Sequence, residues 1–254
     1  MRFGAIPFVN MAPHYRFLGE SWLRQHEVVT GSPRRLGELA REGRLDAAPF
    51  SYVDALGLVE GGDFEWLDAL GVAGFGPIRS ILLDGAASAG DARGAAIAVS
   101  PHTATTVRLL EVWLRQRHGV LDYRLVPPDG AASLRLVIGD EALRLHLGPP
   151  APRVDLSAEW TAWTGLPFVF ARWAVRRSLP DREKRLLAMS IRSALDLALG
   201  DLGEVARSES ARTGLAQDGI LGYLRGIRFK LGPEELAGAA EFGRRLAGLG
   251  AART

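Results

Sequence analysis

The sequence predicts a two-lobed α/β fold with a ligand cleft between the lobes. Three observations predict it: short strands alternate with helices through the first fifty residues, two short connectors flank a central block, and the chain is helical almost throughout after residue 180. Residues 2–6 form an extended apolar run that ends at Pro7. Residues 11–25 carry apolar side chains near helical spacing, with Phe17, Leu18, Trp22 and Leu23 as the inner face. Residues 27–29 are short and β-branched. Ser32 then reads as a helix cap and Pro33 as the first helical position, opening a helix to about residue 42. A strand over residues 45–48 follows. Strand–helix–strand–helix–strand in this order predicts a mostly parallel sheet with helices on its faces.

Farther along, residues 78–83, 95–99, 134–138 and 168–175 read as strands, and residues 103–118 as a strong helix. Gly200, Gly214, Gly226 and Gly232 break the helical carboxyl-terminal part. The connectors are residues 85–94, GAASAGDARG, and residues 164–167. If the chain leaves one lobe at the first and returns at the second, residues 1–88 with 169–254 form lobe 1 and residues 89–168 form lobe 2. A cleft between two such lobes is a common place for a small ligand.

Composition excludes several classes of function. Of 254 residues, 47% are hydrophobic and 24% charged, which is globular and argues against disorder. The net charge is +2, nearly all the basic residues are Arg, and they alternate with Asp and Glu rather than forming a stripe with aromatics. Nucleic-acid binding is therefore not expected. With no cysteine, disulfides, thiolate nucleophiles and Cys-based zinc sites are excluded. His14, His26, His102, His118 and His146 lack metal-ligand spacing, so no metal is expected. There is no signal-peptide pattern and no apolar run long enough for a membrane span, so a cytoplasmic location away from the membrane is expected.

Five segments carry groups suited to chemistry. In PFVNMAPHY, Asn10 follows the first strand and precedes a helix, where it either caps that helix or hydrogen-bonds a polar ligand at the strand's carboxyl end. SPHTATTVRLL places Ser100, Thr103, Thr105 and Thr106 at a helix start. One hydroxyl caps the helix, and the remaining donors suit a carboxylate or phosphate. Ser80 in IRSILLD is a single hydroxyl inside an apolar strand and must find a partner, backbone or ligand. LVIGDEAL offers Gly139 for close backbone approach and Asp140 as an N-cap. WTAWTGLPFVFARWAV concentrates Trp160, Trp163, Phe168, Phe170 and Trp173, read first as core and second as a surface for a planar ring.

Taken in order, FVN ending at Asn10, RLDAAPFSYVDAL, GPIRSILL, SPHTATTVRLL, LVIGDEAL and the TGLPFVFARW region resemble the chorismate dehydratases of the futalosine route to menaquinone. The likeness spans roughly residues 2–175. It implies a fold like that of type II periplasmic binding proteins, and dehydration of chorismate to 3-[(1-carboxyvinyl)oxy]benzoate without a cofactor. It further implies that Asn10 and Ser80 are catalytic. Ser51, Ser100, Thr103, Thr105, Thr106, Gly139 and Asp140 would bind substrate. No His or Lys base stands in these segments, so the substrate's own enolpyruvyl carboxylate is the expected proton acceptor. The alternative is a non-catalytic protein of the same fold that binds or senses an aromatic carboxylate.

Overall fold

The computed structural model describes residues 1–251. The chain opens with β1 (Arg2–Ala5), a single 3-10 turn at Val9–Met11, and the short helices α1 (Ala12–Tyr15) and α2 (Glu20–Arg24). β2 (Glu27–Thr30), α3 (Pro33–Arg41), β3 (Ala47–Ser51), α4 (Tyr52–Glu60) and the long β4 (Phe64–Gly74) follow. Next come β5 (Ile81–Asp84), β6 (Ala96–Val99) and α5 (Thr105–Val112), which continues through a π-helical turn at Trp113–Arg117. Then come β7 (Arg124–Val126), β8 (Leu134–Ile138), α6 (Gly139–Leu147), β9 (Arg153–Asp155), α7 (Leu156–Thr164) and β10 (Phe168–Arg176). The carboxyl-terminal part is α8 (Asp181–Gly200), α9 (Leu202–Thr213), α10 (Gln217–Arg225), β11 (Ile227–Lys230) and α11 (Pro233–Ala251).

The chain divides into two units, Met1–Val72 with Phe170–Leu231, and Ala73–Val169 with the chain from Gly232 onward. The first passage thus falls after Val72, inside β4, and not at the expected 88/89. The 85–94 connector joins β5 to β6 of one sheet, and its small polar residues form a capped turn. Ser88 accepts from the Gly90 N–H, and Asp91 accepts from the Ala87 and Ser88 N–H groups. The return falls after Val169, one residue from the expected place. α11 belongs with the second unit rather than with lobe 1 as expected. Phe242 packs edge-on against Phe168 and Trp160, with ring centroids 4.8 and 5.8 Å away. Gly238 makes that approach possible, because a Cβ there would lie 2.0 Å from the Pro167 carbonyl oxygen.

The first unit is built on a sheet of order β11-β4-β10-β3-β1-β2. β1 runs parallel to β2 and β3, as the strand–helix alternation predicts, whereas β10 runs antiparallel to β3. Ser32 caps α3 by accepting the Arg35 N–H, and Pro33 takes the first helical position. The helix expected over residues 11–25 is instead two short helices, because Gly19 is extended between them. β4 and β11 are strands that the apolar pattern did not single out. Asp46 fastens the amino terminus: it accepts from the Arg2 backbone at 2.7 Å and the Arg2 guanidinium at 2.9 Å. Burial opposes ionisation of this carboxyl, but the Arg2 hydrogen bonds hold its pKa below the usual value.

The second unit holds a sheet of order β7-β6-β8-β5-β9. β6 is parallel to β7 and β8, and β5 is antiparallel to β8 and β9. β6, β8 and β9 therefore end at one edge, where β5 begins. Trp113, Trp160 and Phe168 are fully buried in this unit, and both indoles keep a partner: Trp113 donates to Glu159 and Trp160 to the Pro167 carbonyl. Among the described residues, no helix is long and apolar enough to cross a membrane.

His14 sits in the first unit's core, wholly enclosed, with Trp173 and Phe229 at 5.9 and 5.5 Å. Neither ring nitrogen has a full hydrogen bond, so burial lowers its pKa from 6.5 to about 3, and the Met11 backbone offsets this only weakly. The unfolded chain takes up this proton first. Stability is complete above the unfolded pKa and declines as pH falls toward the folded one. Denaturant titrations between about pH 7 and about pH 4 should show His14→Phe losing much of the wild-type decline. His26 and His146 shift in the same direction but are half-buried and exposed. An unchanged slope in His14→Phe would place the acid sensitivity outside His14, in these histidines or in depressed carboxylates such as Asp46.

Candidate functional site

Strand direction places the predicted groups. At the carboxyl edge of the second unit's sheet, β6, β8 and β9 hand the chain to α5, α6 and α7, so three helix starts share one edge. Each start exposes backbone N–H groups that lack an intrahelical acceptor. At α5, Thr103 Oγ1 accepts the Thr106 N–H at 3.1 Å, and Ser100 Oγ accepts the His102 N–H at 3.4 Å. One threonine hydroxyl is thus taken up by a first-turn N–H, although the N-cap position itself falls on Ala104, which has no capping side chain. Thr105 and Thr106 are also buried.

The three starts differ in charge. The first turn of α5 contains no acidic residue. That of α6 holds Asp140 and Glu141, and α7 is capped by Asp155 with Glu159 one turn in. An anion gains from a helix start where the field is not already met by a carboxylate, about 0.3–1 kcal/mol for an exposed site. Of the three, the α5 start is the anion-binding candidate. Asp140 is not the expected N-cap: that position falls on Ile138, whose extended backbone leads directly into a left-handed Gly139, and this moves Asp140 into the first turn.

Ser80 precedes β5 rather than lying inside it, and only 2% of its surface is exposed. Its carbonyl accepts the Gly139 N–H at 2.9 Å, so two expected site residues meet directly. Arg79, just before it, has a φ of 65°, left-handed for a residue with a side chain. The Arg79 N–H donates to Asp155 Oδ2 at 2.6 Å. The other oxygen of Asp155 accepts the Ser157 and Ala158 N–H groups at 2.9 and 3.1 Å. Burial raises the Asp155 pKa, and these backbone donors work against that rise.

In the first unit, Asn10 lies beyond the carboxyl end of β1, and Ser51 is the last residue of the parallel strand β3. Asn10 caps nothing: the cap positions fall on Phe8 and Met11, and its Oδ1 is buried with no hydrogen-bond partner. Leaving such an atom unpaired costs roughly 1–3 kcal/mol, which favours the ligand-facing reading over the cap. Ser51 donates to Asp54 Oδ2 at 2.7 Å, and Asp54 is ion-paired with Arg41. The aromatic segment is mostly core, since Trp160, Phe168 and Trp173 are fully buried. Among the described residues, no three His, Asp or Glu side chains are grouped so as to hold a metal ion.

A family model described as menaquinone biosynthesis matches residues 1–248. The chain belongs to that family. Within reach of it are the chorismate dehydratase of Thermus thermophilus, 32% identical over 177 residues, and that of Campylobacter jejuni, 30% identical over 179 residues. These matches cover 60% and 68% of this chain, and the chain spans 63% and 67% of the two relatives' lengths. The periplasmic aliphatic sulphonate-binding protein of Escherichia coli shares the fold at 14% identity, with a TM-score of 0.69 over 100% of this chain and 87% of that one. The fold of this family member is thus periplasmic-binding-protein-like, as the resemblance implied.

Asp155, Ser157 and Arg172 are buried or half-buried polar groups that the segments above do not single out. Asp155 had a signal, an Asp directly ahead of the helical LSAEW run, which is an N-cap pattern. Ser157 is fully buried with an unpartnered Oγ. Arg172 lay within the aromatic stretch, and its guanidinium stacks 4.0 Å from the Trp66 ring centroid with Nε buried and unpartnered. If Thr103 closes the α5 start, Thr103→Val should lower unfolding free energy by about 1 kcal/mol in denaturant titration. A neutral substitution would show that the cap adds nothing there.

Proposed function

We propose that this protein is a chorismate dehydratase: a lyase that removes water from chorismate to give 3-[(1-carboxyvinyl)oxy]benzoate, with no cofactor. The observation that carries the reading is the family match over nearly the whole chain, together with the likeness to two relatives that bear that name. The site chemistry agrees with a dicarboxylate whose ring becomes aromatic. One carboxylate docks on the N–H groups at the α5 start, the one start with no acid in its first turn. Asn10, with its buried and unpartnered amide oxygen, and Ser80, held between Arg79 and Gly139, hydrogen-bond the ring carboxylate or the departing hydroxyl.

In the reaction a ring carbon gives up a proton and its neighbour loses hydroxide. The electron pair of the broken C–H bond completes the aromatic ring, so the gain in aromatic stability drives the step. The substrate's enolpyruvyl carboxylate takes the proton, and the protein supplies placement and preorganised donors. The second reading, a binding or sensing protein for an aromatic carboxylate, draws support from the solute-binding relatives of this fold.

Incubating the purified protein with chorismate alone, and following products by chromatography and mass spectrometry, separates the two. Dehydration yields a species lighter by one water with a benzoate chromophore. Both Asn10→Ala and Ser80→Ala should then cut turnover at least about tenfold. Binding with chorismate unchanged would favour the sensor, and turnover within a few-fold of wild type in both variants would remove Asn10 and Ser80 from the chemistry.

A further inference from the structure

Ser80 occupies a turn that its own sequence does not favour. Arg79 is one of two non-glycine residues at positive φ among the described residues, at 65°, a conformation that is unfavourable for an L-residue and persists only where surrounding contacts hold it. On the carboxyl side, the Ser80 carbonyl is fixed by the N–H of Gly139, itself left-handed at φ 62°. On the amino side, the Arg79 N–H donates to Asp155, at 2.6 Å. Asp155 is in turn held in place from three directions. It ends β9, its register partner in β5 is Leu82, and its second oxygen caps α7 through Ser157 and Ala158.

We propose that Asp155 is the positioning residue for Ser80. Its carboxylate grips the 78–80 turn with one oxygen and the start of α7 with the other, and so sets where the Ser80 hydroxyl meets the substrate. This rests on the dehydratase reading of the same site. Asp155 touches no reacting atom; it acts through the Arg79 N–H. Asparagine has nearly the same shape but only one accepting oxygen, so Asp155→Asn keeps either the helix cap or the turn, not both.

The test is a cycle of Asp155→Asn, Ser80→Ala and the double variant, with kcat and KM measured on chorismate. Asp155→Asn should lower kcat at least about tenfold with KM within about threefold, and should cost less than about twofold once Ser80 is already Ala. Equal losses in both backgrounds would mean that Asp155 does not act through Ser80. Amide hydrogen exchange gives a second readout that needs no turnover. In Asp155→Asn the Arg79 amide should exchange at least about tenfold faster, with the Leu82 strand amide unchanged. Exchange unchanged at Arg79, or accelerated throughout the second unit, would overturn the proposal. If the wild type leaves chorismate unchanged, the dehydratase reading fails, and the exchange result still decides the role of Asp155.

Discussion

The direction of three strands governs most of what the second unit can do. β6, β8 and β9 run the same way, so their carboxyl ends must all deliver the chain to one edge of the sheet. Parallel strands cannot be joined by tight hairpins and return through crossovers, usually helices, and three helices start at that edge in consequence. Helix starts leave N–H groups without acceptors, and a buried donor without a partner is costly. Local answers are built in: Thr103 for α5, Asp155 for α7, and the Ser80 carbonyl for the Gly139 N–H at α6. The proposed substrate carboxylate would extend the same arrangement, because it would bring acceptors to this edge.

Charge then separates three similar helix starts. A carboxylate already sits in the first turn of α6 and at the cap of α7, whereas α5 begins with Thr105, Thr106 and Val107. The polar groups of the first unit follow the same rule of strand direction, since Ser51 ends β3 and Asn10 comes after the carboxyl end of the parallel strand β1. Their surroundings differ. Ser51 turns its hydroxyl to Asp54, while the Asn10 amide oxygen is enclosed without a partner. An unpaired buried acceptor is a stronger pointer to a ligand than a hydroxyl with a protein acceptor.

Much of this was legible in the sequence where one principle acted alone. Ser32 and Pro33 marked a helix start because cap and first-turn preferences coincide there, and the apolar runs at 95–99 and 134–138 marked strands. Competing constraints hid the rest. Within β4, Asp68 adopts a left-handed φ of 58° and interrupts the alternation that reveals a strand. Gly19 divides what apolar spacing alone joins into one helix. Residues 85–94 look like a linker because a capped turn and a linker use the same small polar residues. The assignment of α11 to the second unit depends on Gly238 meeting Pro167, a contact between residues about seventy positions apart. Among the site residues, Ser80 and Gly139 were each visible, but their bond was not, because only the β5–β8 register brings them together.

If, as proposed, the start of α5 receives a substrate carboxylate, it does so because its first turn holds no acid, whereas those of α6 and α7 do. The most direct test is to record backbone amide shifts of the Ser80→Ala variant as chorismate is added, so that binding is observed with turnover suppressed. The largest changes are predicted at the amides of Thr103, Ala104, Thr105 and Thr106, with smaller ones at Gly139 and Asp140. Largest changes at Ser157 and Ala158, or none at the start of α5, would contradict the account.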